Sequence, residues 1–138
     1  MAKRKKKTLP KLKHDLQKIF NKYIRLRDGD GDYFTCIACG ETKPKEVANA
    51  GHFYAVKGYD SMRFNEDNVH IECVSCNCFN ESHLIGYAIN LKNKIGEERI
   101  EELHLLAADY KKNGYKWYRD DLEEMIVDYK EKIKSLSY

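Results

Sequence analysis

Apolar residues recur at every third or fourth position in several stretches of this 138-residue chain, a period typical of amphipathic helices. The first stretch begins at Pro10, which favours the first turn of a helix. A second begins at Cys76 and ends at Gly96, and a third follows it and ends at Gly114. Glycine often ends a helix, so these positions are natural boundaries. We predict a helix after Pro10 and three helices in the second half of the chain, the last ending near Leu136.

Shorter apolar runs lie between the first and second helical stretches. They are rich in β-branched and aromatic residues and are bounded by turn-forming residues, as strands usually are. The predicted strands are Tyr33 to Cys39, Val47 to Phe53 and Asn68 to Ile71. The pattern therefore predicts an α+β fold. We divide the chain into an arm at 1–9, a basic helix at 10–31, a core at 32–95 and a helical region at 96–138.

The distribution of charge along the chain is more informative about function than the net charge. The net charge is only +3, yet residues 1–27 contain 11 basic residues and 1 acidic residue. A basic arm on a mildly acidic body indicates a polyanionic partner, most often nucleic acid. The alternative for the arm is a solvated tail. The predicted DNA-binding residues are the basic residues of the arm and the first helix: Lys3, Arg4, Lys5, Lys6, Lys7, Lys11, Lys18, Lys22, Arg25 and Arg27.

Hydropathy excludes two classes of protein. The charged fraction is 34% and the mean hydropathy is −0.73, which exclude a membrane-spanning chain. The longest apolar run, Leu84 to Leu91, is far shorter than the roughly 20 apolar residues that a span requires. A hydrophobic fraction of 42% is too high for a disordered chain. The charged start of the chain lacks the apolar region of a secretory signal. We also expect no membrane partner.

Four of the five cysteines form two Cys-x-x-Cys pairs, Cys36 with Cys39 and Cys73 with Cys76. Two such pairs supply the four thiolates of a tetrahedral structural Zn²⁺ site. The alternatives are redox dithiols or buried free thiols. A tetrahedral site leaves no place for Cys78, which we predict to be a small buried residue at the start of a helix.

Three polar residues that can take part in catalysis lie close to the cysteine pairs in the sequence. They are His52 on a predicted strand, Asn68 at the start of the next, and Asn77 directly after Cys76. This arrangement resembles the HNH or ββα-metal nuclease module, which implies phosphodiester hydrolysis. That reaction needs a general base, and a neutral imidazole suits that role near pH 7. It also needs a divalent cation to offset developing charge, and the imidazole must be held in one tautomer. We predict His52 as the base, Asn68 as its orienting partner and Asn77 as a metal ligand. The alternatives are a structural hydrogen-bonding histidine, a turn residue and a helix cap.

The order of these residues, flanked by cysteine pairs, resembles the HNH or ββα-metal nuclease module. Further motifs make the chain similar to the NinG (Rap) recombination proteins of lambda-type bacteriophages. The motifs that carry this resemblance are Tyr23 to Asp28, Ala50 to Phe53, Arg63 to His70, Cys73 to Asn77 and Lys116 to Leu122. The resemblance implies a small zinc-stabilised ββα-metal core flanked by the N-terminal basic helix and the C-terminal helices.

The same resemblance implies an activity. It predicts an HNH-type, structure-selective DNA endonuclease that cuts branched recombination intermediates such as D-loops and Holliday junctions, with Mg²⁺ or Mn²⁺ at the catalytic centre. The implied location is the cytoplasm of the bacterial host, where phage or host recombination proteins would be partners. The alternative function is a non-catalytic zinc module that binds DNA or a protein partner.

One position departs from the pattern of many HNH nucleases, which have an acidic metal ligand directly before the base histidine. Gly51 occupies that place here. The remaining candidates for the catalytic metal are His70, Asn77 and Glu72. Alternation along a strand puts His70 and Glu72 on one face, so they could share a site. His70 has the alternatives of supporting a ligand or contacting a DNA phosphate.

The remaining histidines and the C-terminal helices receive no catalytic role. His14, His83 and His104 lie in helical stretches, where we predict no part in catalysis. The apolar stripes of the last helices either close over the chain's own core or pair with a second copy. A homodimer is therefore an open alternative.

Overall fold

In this computed structural model the chain is described over residues 6–80 and 82–137, so the predicted DNA-binding residues Lys3, Arg4 and Lys5 lie outside the described residues. The fold is mixed α+β. In chain order its elements are α1 (Leu9–Asp28), β1 (Tyr33–Thr35), β2 (Thr42–Pro44), β3 (Ala48–His52), β4 (Val69–Cys73), α2 (Val74–Phe79), α3 (His83–Ile95), α4 (Glu97–Asn113) and α5 (Arg119–Leu136). Within the described ranges, none of these helices is long and apolar enough to cross a membrane.

Helix α1 has clear local signals at both ends. The Thr8 hydroxyl accepts a hydrogen bond from the backbone N–H of Lys11 at 3.2 Å, which caps the first turn. Arg25 and Arg27 lie in the last turn, where cations interact favourably with the helix dipole. The buried positions repeat every four residues along one face: Leu12, Leu16, Phe20 and Ile24.

The strands form two separate antiparallel pairs, β1 with β2 and β3 with β4. The register of the second pair places Gly51 opposite His70 and His52 opposite Val69. Because side chains alternate between faces, His52 shares a face with Val69, and Glu72 projects from the other face. The first cysteine pair lies in the connection between β1 and β2.

Two hydrophobic clusters meet at the β3–β4 hairpin. One lies between α1 and α5, where the rings of Phe20 and Tyr129 pack edge to face with centroids 5.0 Å apart. The other lies between the two Cys-x-x-Cys pairs and helices α3 and α4. Val69 of β4 belongs to the first cluster and Ile71 to the second, so this strand is shared by both.

Several element boundaries differ from the sequence prediction. The helix predicted from Cys76 to Gly96 is two helices, α2 and α3, because the chain turns after Phe79. At that turn the side-chain oxygen of Asn80 accepts the N–H of Ser82 at 3.0 Å, a local bond that competes with helix formation. Strand β2 was not predicted, and β4 continues to Cys73.

We expect Leu16→Ala to lower the free energy of unfolding by about 2–5 kcal/mol, since this side chain is fully buried against α5 and its removal leaves a cavity. The measurement is urea unfolding followed by circular dichroism. Leu105→Ala is the matched control on α4, where the leucine is 62% exposed, and we expect a change within about 0.5 kcal/mol. Equal effects of the two variants would contradict the placement of α1 in the core.

Candidate functional site

The sulfur atoms of Cys36, Cys39, Cys73 and Cys76 all lie within 4.8 Å of one another. Four thiolates around Zn²⁺ have sulfurs about 3.8 Å apart when the Zn–S bonds are about 2.3 Å, so the cluster has the dimensions of such a site. Cys36, Cys73 and Cys76 are buried, and Cys39 is exposed. The cluster can therefore hold a metal ion such as zinc.

Local backbone geometry brings each cysteine pair into position. Gly40 has a φ of 75°, which favours glycine, and its N–H donates to the carbonyl of Cys36 at 2.9 Å. The Cys36 sulfur accepts the N–H of Cys73 at 3.3 Å, and the Cys73 sulfur accepts that of Cys76 at 3.5 Å. These hydrogen bonds hold the two Cys-x-x-Cys turns close to each other.

The electrostatics of the cluster favour a bound cation. Burial and the neighbouring thiols of Cys73 and Cys36 raise the pKa of the Cys76 thiol. Burial likewise raises the pKa of the Cys36 thiol. Four thiolates in so small a volume repel one another, and a divalent ion offsets that repulsion. The donor set and its charge thus fit Zn²⁺.

Cys78 lies outside this cluster, and the prediction that it is buried is wrong. Its side chain is exposed, because it follows Cys76 by two residues on α2 and projects away from the buried side of that short helix. Its sulfur accepts a hydrogen bond from the side chain of Asn49 at 3.7 Å.

His52 lies at the end of β3, between the hairpin and α1. Its Nε2 is 3.0 Å from the carbonyl oxygen of Arg63, so Nε2 carries the proton and donates it to that carbonyl. Within residues 6–80 and 82–137, Nδ1 has no hydrogen-bond partner and remains an acceptor. Burial lowers the pKa of His52, and the bond to the Arg63 carbonyl only partly opposes this effect. The imidazole is therefore neutral near pH 7, with Nδ1 able to accept a proton.

Asn68 orients the loop before it rather than the imidazole. Its fully buried amide accepts the N–H of Tyr54 at 2.8 Å and donates to the carbonyls of Tyr54 and Met62, both at 3.1 Å. Among the described residues, the direct partner of His52 is the Arg63 carbonyl. Through these bonds Asn68 connects Tyr54 and Met62, the two ends of the segment that leads to Arg63.

His70 is a buried hydrogen-bonding residue. Nε2 donates to the Asp67 carbonyl at 2.9 Å, and Nδ1 accepts from Arg27 at 3.2 Å. Burial, with the nearby cations of Lys94 and Arg27, lowers the pKa of His70 to about 4. Both ring nitrogens are occupied in the neutral state, so this geometry does not support His70 as a metal ligand.

Arg27 likewise faces the interior. Its guanidinium forms two bonds with Asp28, at 2.8 and 2.9 Å. It also donates to the carbonyl of Glu66 at 2.9 Å and to that of Val69 at 2.7 Å. These bonds leave little capacity for a phosphate, so the prediction that Arg27 binds DNA is not supported by its position.

Glu72 and His83 form a second polar pair on the face of the hairpin opposite His52. His83 Nδ1 lies 2.5 Å from Glu72 Oε2, and the carboxylate is fully buried. Burial raises the pKa of Glu72, and the bond to His83 opposes that rise. The other oxygen, Oε1, has no hydrogen-bond partner in the described part of the chain.

Gly51 leaves the space that this carboxylate fills. A Cβ at position 51 would collide with the Glu72 side chain. The Glu72 carboxylate, which comes from β4, therefore occupies the space that the Cβ of a larger residue at position 51 would need. No part in catalysis is predicted for His83 from the sequence, and the missing side chain at position 51 is the sequence signal that another residue fills this space.

Asn77 lies on the same side of the molecule as His83. It is half-buried on α2, and both residues line a shallow surface pocket. Apart from the four cysteines, no group of three or more His, Cys, Asp or Glu side chains converges on one point within the described ranges.

The solvent-facing side of α1 carries a basic stripe, defined as Lys11, Lys18, Lys22 and Arg25. At 100° per residue these four side chains fall within one narrow sector of the helix. Lys11 is paired with Asp15 at 3.0 Å, as is Lys7 at 2.9 Å, and Lys6 is exposed. The sector beside the stripe contains Gln17, whose side-chain nitrogen lies 3.5 Å from His52 Nε2.

We expect the purified protein to bind one Zn²⁺ per chain and Cys76→Ser to lose it, because a three-thiolate site is open and weaker. The metal site contributes on the order of 10 kcal/mol to folds of this kind, so the variant should also lose its cooperative thermal transition. The measurements are metal content by mass spectrometry and thermal unfolding. Cys78→Ser is the matched control and should keep both metal and stability. Zinc retained by Cys76→Ser would contradict the four-cysteine site.

Comparisons with known proteins agree on one family. A family profile described as "Bacteriophage Lambda NinG protein" matches residues 1–138. The ninG protein of Escherichia phage lambda is 32% identical over 120 residues, which cover 87% of this chain and 54% of that protein. The ninG protein of Salmonella phage P22 is 31% identical over 120 residues, covering 87% and 55%.

The ninG protein of Escherichia phage 933W is 32% identical over the same length, covering 87% of this chain and 55% of that protein. The chain thus spans about half the length of the curated relatives it matches. No solved structure matches it significantly. The match to the family profile over all 138 residues shows that the chain belongs to the NinG family of lambda-type phage proteins.

Proposed function

We propose that this chain is a metal-dependent DNA endonuclease of the HNH type. The observation that carries the proposal is the state of His52, a neutral imidazole with Nε2 bonded to the Arg63 carbonyl and Nδ1 without a partner among the described residues. This is the arrangement that a general base requires. The basic stripe lies on the solvent-facing side of α1, the helix whose Gln17 side chain contacts His52, and it would bind the phosphates of the substrate.

In the proposed reaction His52 Nδ1 accepts a proton from water as the water oxygen attacks phosphorus. The bond from phosphorus to the leaving ester oxygen breaks, and that oxygen takes a proton from solvent. The Arg63 carbonyl holds the ring in one tautomer and stabilises the imidazolium that forms, since Nε2 already donates to it. The lowered pKa of His52 keeps the ring unprotonated at neutral pH. Below that pKa the protonated ring has lost its base function, so cleavage should decline as the pH falls through it.

A catalytic Mg²⁺ or Mn²⁺ would supply positive charge to the phosphate during hydrolysis. Glu72, His83 and Asn77 are the residues of this chain that would hold it. The unpartnered Glu72 Oε1 fits this role, and Mg²⁺ commonly binds one or two carboxylates while water and substrate phosphate complete its shell. These residues lie on the hairpin face opposite His52, so they do not place the ion beside the water that His52 would deprotonate.

The proposed substrates are branched recombination intermediates, namely D-loops and Holliday junctions. Membership of the NinG family supports this proposal, as does the basic stripe. Phage or host recombination proteins would act with the enzyme, and cutting two strands of a junction would favour a homodimer. The expected location is the host cytoplasm.

A second candidate function is a non-catalytic zinc module that binds DNA. The observation in its favour is that His52 has no carboxylate partner within the described ranges, and Gly51 stands where many HNH nucleases have an acid. The two functions share the basic stripe and the zinc site. They differ in whether bound DNA is cut.

We expect wild-type protein with Mg²⁺ or Mn²⁺ to cut a four-way junction, and His52→Ala to cut it at least about 100-fold more slowly, which is the usual contribution of a general base. His104→Ala is the matched control, an exposed histidine on α4 that should cut at the wild-type rate. Both variants should bind the junction as wild type does. The measurement is single-turnover cleavage on gels, with binding followed by fluorescence anisotropy.

Two results would separate the candidate functions. Unchanged cleavage by His52→Ala would reject His52 as the base. Wild-type protein that binds the junction but cuts nothing in either metal would favour the non-catalytic module.

We expect Lys18→Gln with Lys22→Gln to reduce the salt dependence of DNA binding. Each phosphate contact contributes about 0.9 to the slope of log affinity against log salt concentration, so the double variant should flatten it by about 2. Lys130→Gln with Lys134→Gln is the matched control on α5, which carries equal charge on exposed positions away from α1. An equal change in the control would contradict a specific role for the stripe.

A further inference from the structure

A pocket of about 280 Å³ lies at the end of α1, beside β1 and β3, and it shares Lys22 and Arg25 with the basic stripe. Its polar wall is formed by Lys22, Arg25 and Lys45, and its apolar wall by Leu26, Tyr33, Phe34, Ala48 and Ile71. This combination of cations and aromatic surface on one concavity is characteristic of sites that bind nucleotides of unpaired strands.

Among the described residues, Arg25 and Lys22 are the cations of the pocket without an ion pair. The Arg25 guanidinium forms no hydrogen bond or ion pair with any residue in the described ranges, although the side chain is half-buried. Lys45 is 3.3 Å from Asp32, and both side chains are largely exposed, so this ion pair is weak and easily exchanged. A phosphate at Arg25 and Lys22 would replace solvent rather than break an internal bond.

Tyr33 supplies an aromatic face at the rim. Its side chain is 58% exposed, while its neighbour Phe34 is buried in the core and holds the strand in place. An exposed tyrosine above an apolar floor is a stacking surface for a base.

Two independent distances relate this pocket to His52. Along α1, Arg25 is eight residues beyond Gln17, or about 12 Å at 1.5 Å per residue. Along β3, Ala48 is four residues before His52 and on the same face, or about 13 Å at 3.3 Å per residue. Both place the pocket a few nucleotides along a strand from the imidazole, and the basic stripe runs between them.

We propose that this pocket binds an unpaired nucleotide of the DNA whose phosphodiester lies at His52, with its phosphate at Lys22 and Arg25 and its base on Tyr33. The inference rests on the proposed function and deepens it by naming the feature of the substrate that is recognised. A base in a duplex must first be unpaired and unstacked to reach Tyr33, so duplex DNA would bind through the stripe alone. The pocket thereby gives preference for strands that are unpaired near a branch.

The test compares binding of two DNA molecules without added Mg²⁺ or Mn²⁺, so that it does not depend on cleavage. One is a perfect duplex, and the other has 2-aminopurine at an unpaired position next to a branch. Tyr33→Ala should weaken binding of the branched DNA by about 5- to 100-fold and leave duplex binding within twofold, because stacking of one base is lost. Tyr33→Phe is the matched control, which keeps the ring and should bind both as wild type does.

A second measurement reports on the pocket directly. The fluorescence of 2-aminopurine should be quenched on binding to wild type and to Tyr33→Phe, and not on binding to Tyr33→Ala. Arg25→Gln should also weaken binding of the branched DNA. Equal loss for both DNA molecules, or undiminished quenching with Tyr33→Ala, would overturn the proposal.

The two proposals can fail separately. If wild type discriminates between the DNA molecules through Tyr33 but cuts neither in Mg²⁺ or Mn²⁺, the endonuclease proposal fails and the pocket stands. If wild type cuts the junction and Tyr33→Ala changes neither binding nor quenching, the pocket proposal fails and the endonuclease stands.

Discussion

The buried strand β4 imposes the constraint on which the rest of the structure depends. All five of its residues are buried, yet it carries polar side chains that must find partners, because an unpaired buried polar group costs free energy. His70 is bonded to Arg27 from α1, and one of the two carboxylate oxygens of Glu72 is bonded to His83 from α3. At the end of the strand, Cys73 joins the cysteine cluster.

Two of the polar groups that have no partner in the described part of the chain lie where a ligand is proposed. Glu72 Oε1 faces the space left by Gly51, and the Arg25 guanidinium lines the pocket beside Tyr33. Almost every other buried polar side chain is satisfied internally. In a fold that pairs its polar groups so thoroughly, the exceptions are the natural positions at which to look for a metal or an anion.

Local signals predicted much of the fold. Pro10, Gly96 and Gly114 mark helix boundaries through backbone chemistry that acts within a few residues, and the helices end close to them. The cysteine cluster followed from spacing alone. The inward position of Arg27 could not be predicted in this way, because it depends on carbonyls about 40 residues away. The pairing of His83 with Glu72 is also tertiary, and periodicity along α3 says nothing about the partner across the fold.

The position of His52 depends on contacts that hold both ends of β4. The cysteine cluster holds the end of β4, and α1 contacts its beginning through Arg27. With both ends held, the five-residue pairing of β3 and β4 has little freedom to slip. A slip of one residue would turn His52 to the face of Glu72 and remove it from the Arg63 carbonyl and from α1. The cysteine cluster, which lies at the far end of the hairpin from His52, thus acts on the imidazole by fixing the register of the strands.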